Sequence, residues 1–258
     1  MTDAAHAPSP APAPLHAPVH APLHAPLADP LTVTQAVKRR FSARAFLPDP
    51  VPGAVLREIL ETAHRAPSGG NLQPWRVYAL SGGELDRFRA LVKQRLAETP
   101  RGEGAEYDVY PRELGEPYRS RRFTVGEDLY ASLGVARENK LGRLAQFARN
   151  FEFFGAPVGL FFCIHRGMGS PQWSDLGMFM QTVMLLAAER GYDTCAQEAW
   201  SMWPKTVAEF VGLPADYMLF SGMALGRADL SDPVNAWRSR RDRFEDWAEL
   251  RGFDEEVR

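Results

Sequence analysis

The stretch Ala66-Pro67-Ser68-Gly69-Gly70-Asn71-Leu72-Gln73-Pro74-Trp75 separates two segments of different periodicity. Before it, apolar residues recur at helical spacing between Leu56 and Ala63, and after it residues 76–80 have the composition of a strand. Its glycines let backbone amides approach a ligand, and its serine, asparagine and glutamine side chains can donate and accept hydrogen bonds. A plain connection needs fewer such residues, so we predict a binding loop on a rigid scaffold.

Helices and strands alternate along the rest of the chain. Thr32 and Gln35 have the spacing of a capping box, which predicts a short first helix, and residues 84–97 are amphipathic. We predict strands at residues 158–165, 192–197 and 217–225, and helices at residues 172–190 and 205–211. This order predicts a layered α/β fold.

Residues 98–153 carry a loop and an interrupted helix. Glycines and prolines among charged residues predict an exposed loop or lid over residues 98–117. A long helical stretch follows to about Phe153, and we expect its interruption near Gly142.

The composition restricts the class of protein. The chain has 258 residues, a hydrophobic fraction of 45% and a formal charge of -2, which argues against a membrane protein and against a strongly basic nucleic-acid binder. Cys163 and Cys195 lie in apolar stretches without metal-ligand spacing, which predicts reduced, buried thiols. The N-terminus lacks the pattern of a signal peptide. We expect a cytoplasmic protein whose partners are small molecules or copies of itself.

Residues 1–30 differ from the rest of the chain. Ala, Pro, His and Leu recur there in the phrase HAPLHAPL, without Lys or Arg. Regular proline spacing favours an extended, solvated backbone, so we predict a disordered tail, followed by one domain over residues 31–258. A metal-binding tail is the alternative, with ligands His6, His16, His20 and His24.

A second polar segment follows the predicted first helix. Arg39-Arg40-Phe41-Ser42-Ala43-Arg44 places three arginines around a serine. Guanidinium groups and a hydroxyl suit bidentate contacts to a phosphate. From this segment alone, a phosphate site and an ordinary charged helix end are equally open.

Together, RRFSARAF (residues 39–46) and APSGGNLQPW (residues 66–75) resemble the FMN-dependent nitroreductase family. The resemblance continues through residues 154–158, the helix after Gln172 and residues 191–198. It implies an α+β domain with a central, mainly antiparallel sheet flanked by helices. It also implies an intertwined homodimer with two FMN sites at its interface.

Matching positions imply these FMN contacts: Arg40, Phe41, Ser42, Arg44, Pro67, Ser68, Asn71, Gln197, Glu198, Ala199, Arg238 and Arg241. Phe41 stands where relatives often have a basic residue, and Ala199 where many have glycine. Residues 197–199 are expected to run past the flavin with a backbone amide directed at N5. Residues 237–244 resemble an arm that returns Arg241, or as second choice Arg238, to the phosphate. A basic C-terminal helix is the alternative.

The resemblance implies that FMN passes a hydride from NAD(P)H to a nitroaromatic or quinone-type acceptor, with ping-pong kinetics. Arg44 is the implied cation near N1 and O2 of the flavin, where negative charge develops. The implied chemistry belongs to the cofactor, and outside the tail only His64 and His165 are available for histidine catalysis. Candidates for the acceptor cavity, with core packing as the equal alternative, are Tyr107, Tyr110, Tyr118, Phe123, Trp200 and Trp203.

Other motifs fit less well. Gly167 and Gly169 follow a predicted strand, but Pro171 breaks the dinucleotide-binding pattern. Cys163 and His165 share a strand face, yet two ligands are too few for a structural zinc site. Functions that stay open are other flavin reactions (dehalogenation, dehydrogenation and flavin fragmentation) and a non-catalytic flavin- or anion-binding module.

Overall fold

The computed structural model describes residues 31–253, so the tail expected at residues 1–30 lies outside the described residues. The elements are, in chain order, α1 (Val33–Arg39), α2 (Gly53–Ala63), β1 (Trp75–Ser81), α3 (Gly82–Glu98), α4 (Tyr118–Ser132), α5 (Lys140–Ala148), β2 (Val158–His165), α6 (Ser170–Glu189), β3 (Asp193–Gln197), α7 (Pro204–Val211) and β4 (Tyr217–Gly226). The capping box is present, with Thr32 and Gln35 exchanging hydrogen bonds of 2.7 and 3.2 Å. The alternation of helices and strands is as predicted.

The four strands form one antiparallel sheet in the order β1-β2-β4-β3. The central strands β2 and β4 are covered on both faces, which explains their nearly continuous apolar sequences. Trp75, at the start of β1, aligns through Ile164 with Met218, whereas Thr194, near the start of β3, pairs with Leu225. The starts of the two edge strands therefore lie at diagonally opposite corners of the sheet.

Each face of the sheet has its own core. Helices α2 and α6 cover one face, where Leu160, Phe162 and Ile164 are fully buried. Helices α3 and α7 and the 3-10 turns at 149–155 and 198–202 cover the other. Trp200 and Trp203 are fully buried in this second core, so for these two residues the core-packing alternative is correct.

The helical stretch is interrupted, as expected, but the expected position near Gly142 was wrong. The helix is broken over residues 133–139, where Gly134 has a φ of 66°, and α5 begins at Lys140. Gly142 instead lies in the first turn of α5, and its N–H donates to the Asn139 side chain at 2.9 Å. A Cβ at residue 142 would lie 2.7 Å from Asn139 Nδ2, so the glycine makes room for the cap.

Both cysteines are free and buried, as predicted. Burial raises the pKa of the Cys163 thiol to about 12, which keeps it protonated at neutral pH. Within residues 31–253, no helix has the length and apolar character needed to cross a bilayer. The cytoplasmic location stays a prediction.

Candidate functional site

Residues 40–44 leave α1 as extended backbone beside β3. Ser42 forms a parallel bridge with Thr194, and the Ala43 N–H donates to the Thr194 carbonyl at 3.0 Å. Because side chains alternate along extended backbone, Phe41 and Ala43 are buried while the polar residues Arg40, Ser42 and Arg44 are half-buried. The pairing with β3 therefore presents the predicted polar residues on one side of the segment.

The buried side chain of Asn235 fastens the end of the chain to this segment. Its Oδ1 accepts the Arg44 N–H at 2.8 Å, and its Nδ2 donates to the carbonyls of Ala45 at 2.8 Å and Asp229 at 2.7 Å. Sequence reasoning missed Asn235, because 190 residues separate it from Ala45 and no local pattern marks it. We call residues 40–44, with Asn235 and the arm at 236–243, the arginine corner.

The two arm arginines have different environments. The Arg238 guanidinium lies 3.8 Å from the centroid of the Phe41 ring and donates to the carbonyls of Asn235 and Trp237 at 2.7 and 2.8 Å. Phe41 thus holds Arg238 by a cation–π contact. Residues 237–243 form no helix, so the alternative of a basic C-terminal helix was wrong.

Arg241 instead lies near Arg40, and the positive charges of the two guanidinium groups repel each other. Burial and the charge of Arg241 lower the pKa of Arg40. The buried Nε of Arg40 has no hydrogen-bond partner within the described part of the chain. Unpaired buried donors and adjacent cations are unfavourable, and both are satisfied by an anion bound between them. This donor set fits a phosphate group.

The loop over residues 66–74, which we call the Gly-Gly loop, is a tight turn with a 3-10 helix at Gly69–Asn71. Three of its residues have left-handed backbone, with φ values of 59° at Gly70, 55° at Asn71 and 49° at Gln73. Ser68 Oγ accepts the Gln73 N–H at 3.0 Å, which closes the turn. Pro67 and Asn71 are exposed and Ser68 is half-exposed, so the three predicted contact residues are accessible.

A buried carboxylate holds the Gly-Gly loop against α6. Asp175 is 5% exposed, and its Oδ2 accepts the Gly69 N–H at 3.2 Å. Sequence reasoning missed this residue as well. The sequence feature that could have identified Asp175 is an acidic residue in a mainly apolar helix, one turn before Phe179.

The structure does not bring the arginine corner and the Gly-Gly loop together within one chain. Gly69 contacts Asp175 near the start of α6, whereas Arg39 donates to the carbonyl of Ala188 near its end at 2.7 Å. Thirteen residues of helix separate these points, or about 20 Å. The sheet register agrees, since the start of β1 and the start of β3 lie about 23 Å apart along the strands and about 14 Å apart across them.

The third predicted segment, residues 197–199, ends β3 and enters a 3-10 turn. Gln197 is buried, and its Nε2 donates to the Asn150 carbonyl at 2.8 Å, while its Oε1 accepts from Trp200 Nε1 at 3.4 Å. These hydrogen bonds occupy both polar atoms of the Gln197 side chain. The backbone of residues 197–199 is the part left to contact a ligand.

Tyrosines of the predicted lid lie beside this segment. Burial raises the pKa of the Glu198 carboxyl, and the Tyr110 hydroxyl partly offsets that rise. The Tyr107 hydroxyl donates to the Phe220 carbonyl, and its ring stacks on the Phe220 ring. Glu103 accepts the N–H groups of Lys205 and Thr206 at 2.9 and 3.0 Å. The loop predicted over residues 98–117 is present, and the hydrogen bonds of Glu103 and Tyr107 fix its first half.

Comparisons with known proteins agree with this architecture. Residues 37–227 match the family described as "Nitroreductase family". The chain is similar to a chloronitrobenzene nitroreductase of Comamonas testosteroni, with 35% identity over 83% of this chain and 95% of that protein.

Two solved structures are also similar. The FMN and NADPH-dependent nitroreductase NfnB from sphigopyxis sp. strain HMH has 48% identity and a TM-score of 0.84, covering 86% of this chain and all of that one (100%). The FMN-dependent nitroreductase NfnB from Mycobacterium smegmatis, in complex with NADPH, has 29% identity and a TM-score of 0.80 over 85% of this chain and 100% of that one. The match over most of its length and the shared fold establish that this chain belongs to the nitroreductase family.

Proposed function

We propose that this protein is an NAD(P)H-dependent nitroreductase that carries FMN. The observation that carries the proposal is the environment of Arg40: its buried Nε has no hydrogen-bond partner within residues 31–253, and burial and the positive charge of Arg241 lower its pKa. FMN supplies the hydride chemistry when bound, and the protein supplies position and electrostatics. The similar NfnB structure is that of an FMN and NADPH-dependent nitroreductase, which supports the same assignment.

The polar residues of the arginine corner bind different parts of FMN in this proposal. Arg40 and Arg241 hold the phosphate by charge-assisted hydrogen bonds, with Ser42 adding a neutral one. Arg44, fixed through its backbone by Asn235, supplies the positive charge near N1 and O2 of the flavin. The backbone of Gln197, Glu198 and Ala199 runs past the ring.

Nitroaromatic compounds are the proposed acceptors, with quinone-type compounds as a second group. The similarity to a chloronitrobenzene nitroreductase and to a nitrobenzene nitroreductase supports the first choice. Reductant and acceptor would occupy the same open face in turn, which gives ping-pong kinetics.

We further propose a homodimer in which each site takes the arginine corner from one copy and the Gly-Gly loop from the other. The separation of the two regions by about 20 Å within one chain supports this arrangement. Exposed apolar side chains near α6 support it too: Val33 is 75%, Val37 49% and Met178 40% exposed. Pro67, Ser68 and Asn71 then contact the FMN bound by the partner.

The absorption spectrum of the purified protein tests the FMN proposal. We expect flavin bands after incubation with FMN and gel filtration, and oxidation of NADPH when nitrobenzene is added. Absence of flavin bands contradicts cofactor binding. Flavin bands without turnover of any nitroarene or quinone would instead support a non-catalytic flavin-binding module.

Mixing two variants tests the composite site. An Arg40→Met chain and a chain with a weakened Gly-Gly loop, Asp175→Ala, each damage both sites of their own homodimer. After unfolding and refolding together, mixed dimers contain one site with both halves intact. We expect tight FMN binding to reappear only in the mixture, up to one site per mixed dimer. If the mixture binds no better than the separate variants, each site is built from one chain.

A further inference from the structure

Helix α4 holds the arm on both sides of Arg241. Arg121 of α4 forms an ion pair with Asp242 of the arm, and the Nε of Arg240 lies 3.5 Å from Asp128 Oδ2 on α4. The two arm residues that contact α4 are therefore the sequence neighbours of Arg241. We call these two contacts the α4–arm ion pairs.

The order of the charges selects the direction in which the arm lies along α4. Arg121 and Asp128 are seven residues apart, which is about two helical turns, so they lie on one face of the helix. The helix carries a cation before an anion, and the arm does the same with Arg240 and Asp242. The observed antiparallel arrangement pairs opposite charges, whereas a parallel one would bring like charges together.

Arg241 itself is held on a different part of the structure. Its Nη1 donates to Ser239 Oγ at 2.8 Å, and its charge lowers the pKa of Arg40, which belongs to the extended segment beside β3. The side chains before and after Arg241 contact α4. The α4–arm ion pairs thus fix the backbone from which Arg241 extends.

The arm is also fixed on the N-terminal side of Arg241. The Arg238 guanidinium lies 3.8 Å from the centroid of the Phe41 ring, and α4 contacts the 3-10 turn at Pro233–Asn235. Anchors on both sides restrict the conformations that the intervening residues adopt. A ligand that binds Arg241 then loses less affinity to ordering of the chain.

The α4–arm ion pairs are exposed to solvent. Arg121 and Asp242 are 44% and 39% exposed, and every residue of α4 is at least partly accessible. Exposed ion pairs contribute little to the stability of a domain. Their main effect is therefore on where the arm lies, and the free energy of unfolding should depend on them only weakly.

We propose that α4 positions Arg241 for the phosphate group of FMN, and that Arg121 and Asp128 are the positioning residues. Both act through the arm and not by contact with the cofactor. This inference rests on the proposed FMN site and adds the element that orients one of its phosphate ligands. The α4–arm ion pairs should consequently affect the affinity for the phosphate and not for the isoalloxazine ring.

A comparison of FMN with riboflavin, which has the same ring system without the phosphate, tests the proposal. Asp128→Lys places a second cation against Arg240 and breaks that ion pair. We expect FMN to bind about three- to tenfold more weakly, which is part of the loss of a charge-assisted contact. Riboflavin affinity should change less than about twofold. Fluorescence titration of the FMN-free protein measures both affinities.

The sign of the change separates positioning from simple attraction between charges. Asp128→Lys replaces a negative charge with a positive one near an anion site, so long-range attraction alone predicts tighter FMN binding. Arg121→Glu makes the opposite replacement, for which attraction and positioning both predict weaker binding. Weaker FMN binding in both variants supports the inference. Tighter binding in Asp128→Lys overturns it.

Double variants test whether the effect passes through Arg241. Asp128→Lys combined with Arg240→Glu restores an ion pair of reversed polarity and should recover most of the FMN affinity. In an Arg241→Met protein, Asp128→Lys should change FMN affinity less than about twofold, because the residue that α4 positions has already been removed. Full additivity of the two substitutions would overturn the inference, as would no recovery with the reversed pair.

Glu209→Lys is the matched control. Glu209 Oε2 lies 3.7 Å from Arg95 Nη2 in an exposed ion pair that joins α3 to α7. The variant also replaces a carboxylate with a lysine against an arginine, but away from α4 and the arm, and should alter the affinity of neither flavin. Equal losses of FMN and riboflavin affinity in Asp128→Lys would show that α4 supports the fold in general and would overturn the inference.

Failure of this inference and failure of the proposed function give different results. If the protein binds FMN and reduces nitroarenes but the α4 variants bind FMN normally, the inference alone is wrong. If the FMN affinity changes as expected in a protein that reduces no acceptor, the inference is supported and the proposed activity is contradicted. A wild-type protein without affinity for FMN contradicts both.

Discussion

The arginine corner and the Gly-Gly loop are built in opposite ways. The corner joins the two ends of the domain through Asn235 and concentrates positive charge, with Arg40 and Arg241 left to oppose each other. The loop is shaped by its own turn residues, and within residues 31–253 its one long-range hydrogen bond runs from the Gly69 N–H to Asp175. The difference indicates that the first region binds through charge and the second through the shape of its backbone.

The largest effect should follow from removing charge at the corner. Arg40→Met keeps most of the side-chain volume and loses a charge-assisted contact worth about 1.5 to 3 kcal/mol, so we expect FMN to bind about 10- to 100-fold more weakly. Fluorescence titration of the apoprotein with FMN measures this change.

The same variant should not destabilise the apoprotein. Burial and Arg241 lower the pKa of Arg40, which means that the folded state disfavours its charged form. Urea unfolding of the apoprotein should therefore give a free energy of unfolding equal to or above that of wild type. A clear loss of stability with unchanged FMN affinity would show that Arg40 has a structural role. The conclusion that the arginine corner binds FMN through charge would then be wrong.

How well the sequence predicted each region follows from this difference. The Gly-Gly loop and the capping box at Thr32 are local, so their residue types and spacing were sufficient to predict them. The arginines of the corner were identified by family resemblance, but Asn235 and the stacking of Arg238 on Phe41 depend on tertiary packing. The separation of the two regions depends on strand order, which no local pattern specifies.

The anchor of the loop should give a smaller effect. Asp175→Ala removes the acceptor of the Gly69 N–H, so the loop samples more conformations and we expect FMN affinity to fall about three- to tenfold. Asp175→Asn keeps an oxygen acceptor at the same place and should retain most of the affinity. If both variants lose affinity equally, the charge of Asp175 matters rather than its hydrogen bond, and the loop no longer contrasts with the corner.

The smallest effect should come from the backbone of the loop itself. Gly70 has a φ of 59°, and a Cβ at this position would meet only Leu72 Cγ at 4.0 Å, so Gly70→Ala should cost about 1 kcal/mol of unfolding free energy through backbone strain alone. Gly83, in the first turn of α3, has ordinary backbone and open space, so Gly83→Ala should stabilise by up to about 1 kcal/mol. Urea unfolding of the two variants without FMN measures these opposite changes in the free energy of unfolding. FMN affinity should fall less in Gly70→Ala than in Asp175→Ala, because the Gly69–Asp175 hydrogen bond that holds the loop is kept; a decrease as large as that in Arg40→Met would show that backbone shape governs binding as strongly as charge.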